Sequence, residues 1–253
     1  METSKKEVLA EGIEIYRADC LDIMPAVGPV SHCLSDPPFE QRSHDNFGRI
    51  RRTDGGKIQG ALPFQGVDTI RDKFLHLLKQ TCSGWVILFC TAEGVAAWRD
   101  SIEASHIKYK TPCVWVKPDS APRFNGQAPA HGHEMIVTGW CGPGYSAWNG
   151  GGRRGTFEHL CNPPDRDGLH PTQKPLSLMM ELVSLFTNPG DLVCDPFMGS
   201  GQTGVACIKL GRKFCGVEID ETYYHVAATK MRSALKQPDL FIEVPKLKQT
   251  KLW

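Results

Sequence analysis

Asp191-Leu-Val-Cys-Asp-Pro-Phe-Met-Gly-Ser-Gly201, with the stretch that follows it to Lys213-Phe-Cys-Gly-Val-Glu-Ile219, decides the fold. Residues 191–194 form a short apolar run of strand character. The glycines after it mark a tight turn, residues 203–210 carry apolar side chains at helical spacing, and residues 213–219 return to a strand. A strand, a helix and a second strand within roughly 30 residues make a βαβ unit, in which the two strands run parallel.

The same alternation extends outward in both directions. Upstream, Pro175 suits a helix first turn, residues 176–186 have helical periodicity, and Asn188-Pro-Gly190 stops the helix. Downstream, residues 221–236 read as a last helix. The tail from Gln237, with Lys246, Lys248 and Lys251, reads as a solvated extension. In the first half, strands are expected at 13–16, ending at Asp19, and at 31–35, ending at Asp36. A helix is expected over 69–80, a fully apolar strand over 84–90, a helix over 92–105, and strands at 111–116 and 134–139. This predicts an α/β, Rossmann-like fold, its mostly parallel sheet covered by helices on both faces.

Composition sets bounds on what the chain does. Its 253 residues suit a single domain, 1–253, and 41% hydrophobic with 23% charged residues is ordinary for a globular protein. A net charge of +1 leaves nucleic-acid binding open, because basic residues gathered on one face suffice. There is no apolar run of membrane-spanning length, and Met-Glu-Thr-Ser-Lys-Lys-Glu at the start has no secretion-signal character, so no membrane partner and a cytoplasmic location are expected. The ten cysteines are scattered with no C-x-x-C pair, which predicts buried reduced thiols and no metal site.

Two motifs carry chemistry. The glycine turn lies where a strand's carboxyl end meets a helix, the usual place for a nucleotide-like ligand, and Glu218 ends the next strand, where a carboxylate can accept from both hydroxyls of a ribose. Its G-x-G spacing lacks the third glycine of a dinucleotide fingerprint, which argues against a pyrophosphate. The second motif is Ser35-Asp36-Pro37-Pro38-Phe39, directly after a strand. Two prolines stiffen this corner and remove two donors. The amino group of an aromatic base is a poor nucleophile because its lone pair is delocalised. A carboxylate from Asp36 and a proline carbonyl, each accepting one N–H, would favour a pyramidal nitrogen, and Phe39 would stack against an extruded base. A plain surface turn is the alternative for this motif, as Asp and Pro are common turn residues.

Asp36-Pro-Pro-Phe39, His170-Pro-Thr-Gln-Lys-Pro175, Asp195-Pro-Phe-Met-Gly-Ser-Gly201 and Gly216-Val-Glu-Ile-Asp220, in that order, resemble the motifs of the β-class DNA amino-methyltransferases, which modify adenine N6 or cytosine N4. The resemblance spans most of the chain, from Ala18 to the helix after Asp220, and includes the permuted order in which the catalytic corner precedes the cofactor motifs. It implies the class I methyltransferase fold, S-adenosyl-L-methionine as cofactor and DNA as substrate. By resemblance, Asp195, Phe197, Gly199, Ser200 and Gly201 wrap the amino-acid part of the cofactor, and Glu218 with Ile219 serves its ribose. Thr172, Gln173 and Lys174 match the segment beside the methionine moiety, with His170 and Pro171 shaping its turn, Asp19 resembles the acid near the adenine, and Cys20 is a further cofactor-binding candidate. Phe39 stands where the family usually has Tyr, so stacking is kept and a hydroxyl contact is lost. Asp at position 36, where Ser is the other option, points to adenine in preference to cytosine.

Residues 40–66 and 120–168, rich in Gly, Arg, His, Asn and Pro outside the strand at 134–139, are the expected DNA-contacting loops or short target-recognition region. Arg42, His44, Arg49, Arg51, Arg52 and Lys57 form one basic cluster and Arg153, Arg154 and Arg166 another, suited to phosphate contacts and guanine reading. The expected partner is double-stranded DNA with a short or relaxed site, as in phage-like or orphan enzymes, and a homodimer is a further option. Methylation of RNA or of a protein amide is disfavoured because such relatives carry Asn-Pro-Pro and the opposite motif order. A decayed, non-catalytic binder would show damage at Asp36, Gly199 or Glu218, and all three are intact.

Overall fold

The computed structural model describes residues 4–39, 66–122, 126, 127, 129–163 and 173–237. The strands are β1 Lys5–Ala10, β2 Ile13–Arg17, β3 His32–Ser35, β4 Trp85–Cys90, β5 Lys108–Val116, β6 His133–Trp140, β7 Thr156–Glu158, β8 Leu192–Asp195 and β9 Lys213–Glu218. The α-helices are α1 Cys20–Ile23, α2 Arg71–Thr81, α3 Val95–Ala104, α4 Leu176–Phe186, α5 Gln202–Lys209 and α6 Glu221–Lys236, with a 3₁₀ turn at Val67–Thr69. Each expected helix and strand is present with its ends moved by a few residues.

All nine strands join one sheet in the order β1-β2-β9-β8-β3-β4-β6-β5-β7. From β2 to β4 every neighbour is parallel; β6 is antiparallel to both β4 and β5, and β1 is antiparallel to β2. The parallel block therefore places Asp19, Glu218, Asp195 and Asp36, which end or directly follow four adjacent strands, along one edge. Because β6 runs the other way, it begins at that same edge with His133 and Glu134, and β5 ends there at Val116. One edge of the sheet thus collects carboxylates that lie far apart in sequence.

Period-two alternation explains the two layers. In β4, Trp85, Ile87 and Phe89 face a cluster that includes α4, α5 and α6 through Leu178, Leu182, Val205, Ala206, Tyr224 and Met231. Val86, Leu88 and Cys90 face the other cluster, with Phe74, Leu75 and Leu78 of α2 and Trp98 and Ile102 of α3. Each fully buried side chain of this kind stabilises the fold by roughly 1.5–3 kcal/mol. Nine of the ten cysteines are buried and all ten are free thiols, as the sequence suggests.

At the opposite edge, His32 pins three strands together. Its Nδ1 accepts from the Trp85 backbone at 3.0 Å, so Nε2 must carry the proton that goes to Asp191, also at 3.0 Å. Burial lowers its pKa, against the pull of Asp191, and favours the neutral ring this arrangement needs. In β5 the register shifts between Lys110 and Cys113, at Pro112, which has no N–H to give to the ladder.

The sequence reading differs from the structure at β1 and β7. The first is an edge strand with a polar, largely exposed face, and the second is only three residues within a stretch expected to be irregular. Phe157 at the centre of β7 is fully buried, and Trp148 packs edge-on against Phe186. Asn149 donates its side-chain amide to the backbone oxygens of Ser184 and Thr187, capping the end of α4. Trp148, Asn149 and Phe157 thus anchor this stretch to the scaffold, while most of residues 143–156 are exposed.

Candidate active site

The turn after β8 is held from below by Asp195. This buried carboxylate accepts from Ser35 Oγ and Thr203 Oγ1, both at 2.5 Å, and from the Phe197 backbone at 3.2 Å. Burial raises its pKa to about 6, the hydrogen bonds working against that shift. Ser35 Oγ also accepts from the Phe197 N–H at 3.3 Å. The residue before the Asp36-Pro-Pro-Phe39 corner is thus bonded directly to the glycine turn, and the two motifs meet although 162 positions separate these partners. Phe197 packs edge-to-face on Phe74 with centroids 5.3 Å apart.

Gly201 has φ +82°, and a Cβ there would sit 2.8 Å from Ala227 Cβ, so glycine is required for α5 to approach α6. Gly199 also has positive φ, +49°, but a Cβ there would meet nothing within 4 Å. The space beside it is open, as a close-lying ligand needs. Its N–H donates to Glu218 Oε2 at 2.8 Å, and the Asp220 N–H donates to Oε1 at 2.8 Å. Burial raises the Glu218 pKa to about 7, against those two hydrogen bonds. With one donor on each oxygen, the carboxylate is fixed in orientation and keeps lone pairs for further donors.

Next along the edge, Ile219 is 55% exposed, apolar surface directly beside the ribose-type acid. Asp19 follows β2 and caps α1 by accepting from the Leu21 N–H at 2.8 Å, and Cys20 behind it is buried. Ala18 donates to the Glu218 carbonyl at 3.0 Å, which keeps Asp19 next to Glu218. An open glycine turn, a fixed carboxylate, an apolar face and a second acid in a row fit a nucleoside with an amino-acid arm. Ser200 and Gln173 are joined by a 3.4 Å bond, and Gln173 Oε1 also accepts from Lys230 at 2.7 Å.

Lys174 is where the structure adds most to the sequence reading. The resemblance puts it beside the cofactor's methionine; its ammonium in fact bridges Asp36 Oδ2 at 2.6 Å and Glu134 Oε1 at 2.8 Å. It lies over the Phe89 ring at 4.8 Å and the Phe39 ring at 5.7 Å. Burial alone would lower its pKa, and the two carboxylates outweigh that and raise it, so Lys174 stays charged. Glu134 is also buried and accepts from Lys117 at 2.7 Å. Asp36 Oδ1 and Glu134 Oε1 are both shielded from solvent and accept no hydrogen bond, but Glu134 Oε1 has Lys174 as an ion-pair partner at 2.8 Å while the Asp36 pair is made through Oδ2. Burial raises the Asp36 pKa, Lys174 opposing the shift and Glu134 adding to it. A buried carboxylate oxygen without a donor is costly unless a ligand supplies one.

Arg153 pairs with Glu181 and lies 5.7 Å from the centre of the Phe157 ring. Glu181 also holds His159 Nε2 at 2.6 Å, so Arg153 is tied to the scaffold while Arg154 is exposed. His170, Thr172, Arg166 and the basic cluster at Arg42, His44, Arg49, Arg51, Arg52 and Lys57 lie outside the described residues. Glu134 and Lys117 are the site residues the sequence reading missed. Glu134 shares the strand parity of buried Ile136, and a charge on an inward-facing position is the signal that could have found it.

Residues 140–229 match the model of the family described as DNA methylase. The chain is 26% identical to the type II methyltransferase M.HinfI of Haemophilus influenzae over 89% of its own length and 70% of that protein. It is 41% identical to M2.DpnII of Streptococcus pneumoniae over 66 residues, about a quarter of each chain. Among solved structures it resembles M1.HpyAVI in complex with SAM (TM-score 0.66, 24% identity, 86% of this chain and 98% of that one). It also resembles the cytosine-N4-specific PvuII DNA methyltransferase (TM-score 0.65, 15% identity, 88% and 91%). The fold, with its row of carboxylates along one end of the sheet, is that of the class I methyltransferases. More narrowly, residues 140–229 match the DNA methylase family model, and the four sequence motifs resemble those of the DNA amino-methyltransferases.

Proposed function

We propose that this enzyme methylates the N6 amino group of adenine in double-stranded DNA. The observation that carries the proposal is Asp36: one carboxylate oxygen is held by Lys174, and the other is sheltered and without a donor beside the glycine turn. Asp36 Oδ1 would accept one N–H of the amino group, turning the lone pair out of the ring, and Asp36 would offset the positive charge developing on nitrogen. Phe39, flanked by Lys174, would stack on the flipped base. Gly199, Glu218, Ile219 and Asp19 would hold S-adenosylmethionine, which supplies an electrophilic methyl group when bound. Asp195 would act through the turn it fixes.

By the family resemblance, Asp at position 36, where Ser is the other option, favours adenine over cytosine N4. The exposed Arg154 and the basic cluster at 42–57 are proposed phosphate contacts. A duplex target must be extruded to reach a corner set at the sheet edge, and this chain's short loop allowance suits a small recognition site.

The test is nucleoside analysis by mass spectrometry of plasmid DNA incubated with the enzyme and S-adenosylmethionine. N6-methyladenine is expected as the product. N4-methylcytosine alone would replace the adenine reading, and methylation of RNA with none of DNA would remove the proposal.

A further inference from the structure

We infer that Glu134 and Lys117 are positioning residues for the methyl-transfer step, dividing the charge of Lys174 so that Asp36 meets the substrate with one oxygen bound and the other free. The inference rests on the proposed role of Asp36 and adds two residues that no motif includes.

Four charged groups form an open chain at the site edge, Asp36, Lys174, Glu134 and Lys117, with successive separations of 2.6, 2.8 and 2.7 Å. The signs alternate and sum to zero. Lys174 and Glu134 are 7% and 9% exposed, and Lys117, at 19%, opens the chain towards solvent. Lys117 also lies over the Trp115 ring at 4.4 Å, which fixes it from its own strand. Asp36 further faces Asp195 across the turn. An undivided Lys174 would be free to donate to both oxygens of Asp36, leaving no acceptor for the amino group and stabilising the carboxylate too strongly to attract a nascent cation. Glu134 draws part of that ammonium away, and Lys117 limits how far it does so.

The two neighbours therefore pull Asp36 in opposite directions. Removing the Glu134 charge strengthens the Lys174 hold and lowers the Asp36 pKa. Removing the Lys117 charge frees Glu134 to repel Asp36 and to hold Lys174 more firmly, which raises it.

The experiment is the pH dependence of kcat for DNA methylation by the full chain and by Glu134→Gln and Lys117→Met, with S-adenosylhomocysteine affinity measured alongside. Glu134→Gln should lower kcat and move its acid limb about one unit down, Lys117→Met should move the limb about one unit up, and KM should change little in either. If Glu134→Gln does not fold, the upward shift in Lys117→Met carries the test. Limbs that stay put, or that move together, overturn the inference and leave two structural ion pairs. A parent chain that methylates no DNA removes the reading of Asp36 itself, an outcome told apart from the others before any variant is made.

Discussion

At the scale of the residue, the site is built by burying charged groups and then supplying most of their partners. Glu218 shows the logic in a form that pH can address. Burial places its pKa near 7, well above the ordinary glutamate value. Because the folded-state pKa is raised, ionising Glu218 costs the apo fold some stability, which returns as the pH falls through 7. Ribose hydroxyls, in contrast, donate best to the ionised carboxylate. Affinity for S-adenosylhomocysteine should therefore fall as pH drops from 8 to 6, approaching tenfold per unit below the pKa. Glu218→Gln should bind weakly with little pH dependence. Calorimetric titrations at several pH values would measure this, and a flat profile for the parent chain would remove Glu218 from the ribose site.

At the scale of the element, the β8–α5–β9 unit combines a strict steric demand with an open cradle, and its two turn glycines separate those duties. Gly201→Ala puts a side chain at positive φ and against Ala227 of α6, 2.8 Å from its Cβ and 3.0 Å from its Cα. It should cost about 1–3 kcal/mol in urea unfolding. Gly199→Ala meets no neighbour and carries only the positive-φ cost, about 1 kcal/mol, so its further loss should be in cofactor affinity. Equal stability of Gly201→Ala and the parent would contradict this packing. The unit was legible in sequence because its strands are continuously apolar and its helix keeps one period throughout. β1 was not, since Lys5, Lys6 and Glu7 on an edge strand look like a solvated terminus. Nor was β7, whose three residues are too few for a period to register and which owes its place to the burial of Phe157.

At the scale of the whole molecule, function depends on bringing together two halves that the chain keeps apart. Motif order and spacing single out both halves of the candidate site, but they cannot disclose what joins them. Lys174 reaches Asp36 across 138 positions, and Glu134 comes in only because β6 reverses direction and starts at the active edge. Such pairings follow from sheet order, which a local pattern does not encode. Within residues 141–158, Asn149, Trp148 and Phe157 brace α4 and β5, contacts that a glycine-rich composition does not announce. The central claim is that Asp36, directly after β3, performs the chemistry while the β8–α5–β9 unit holds the cofactor. The direct measurement is Asp36→Ala, assayed for methyl transfer to DNA and titrated with S-adenosylhomocysteine. Transfer should fall by about 10²-fold or more with cofactor-product affinity unchanged; turnover near that of the parent chain would contradict the account.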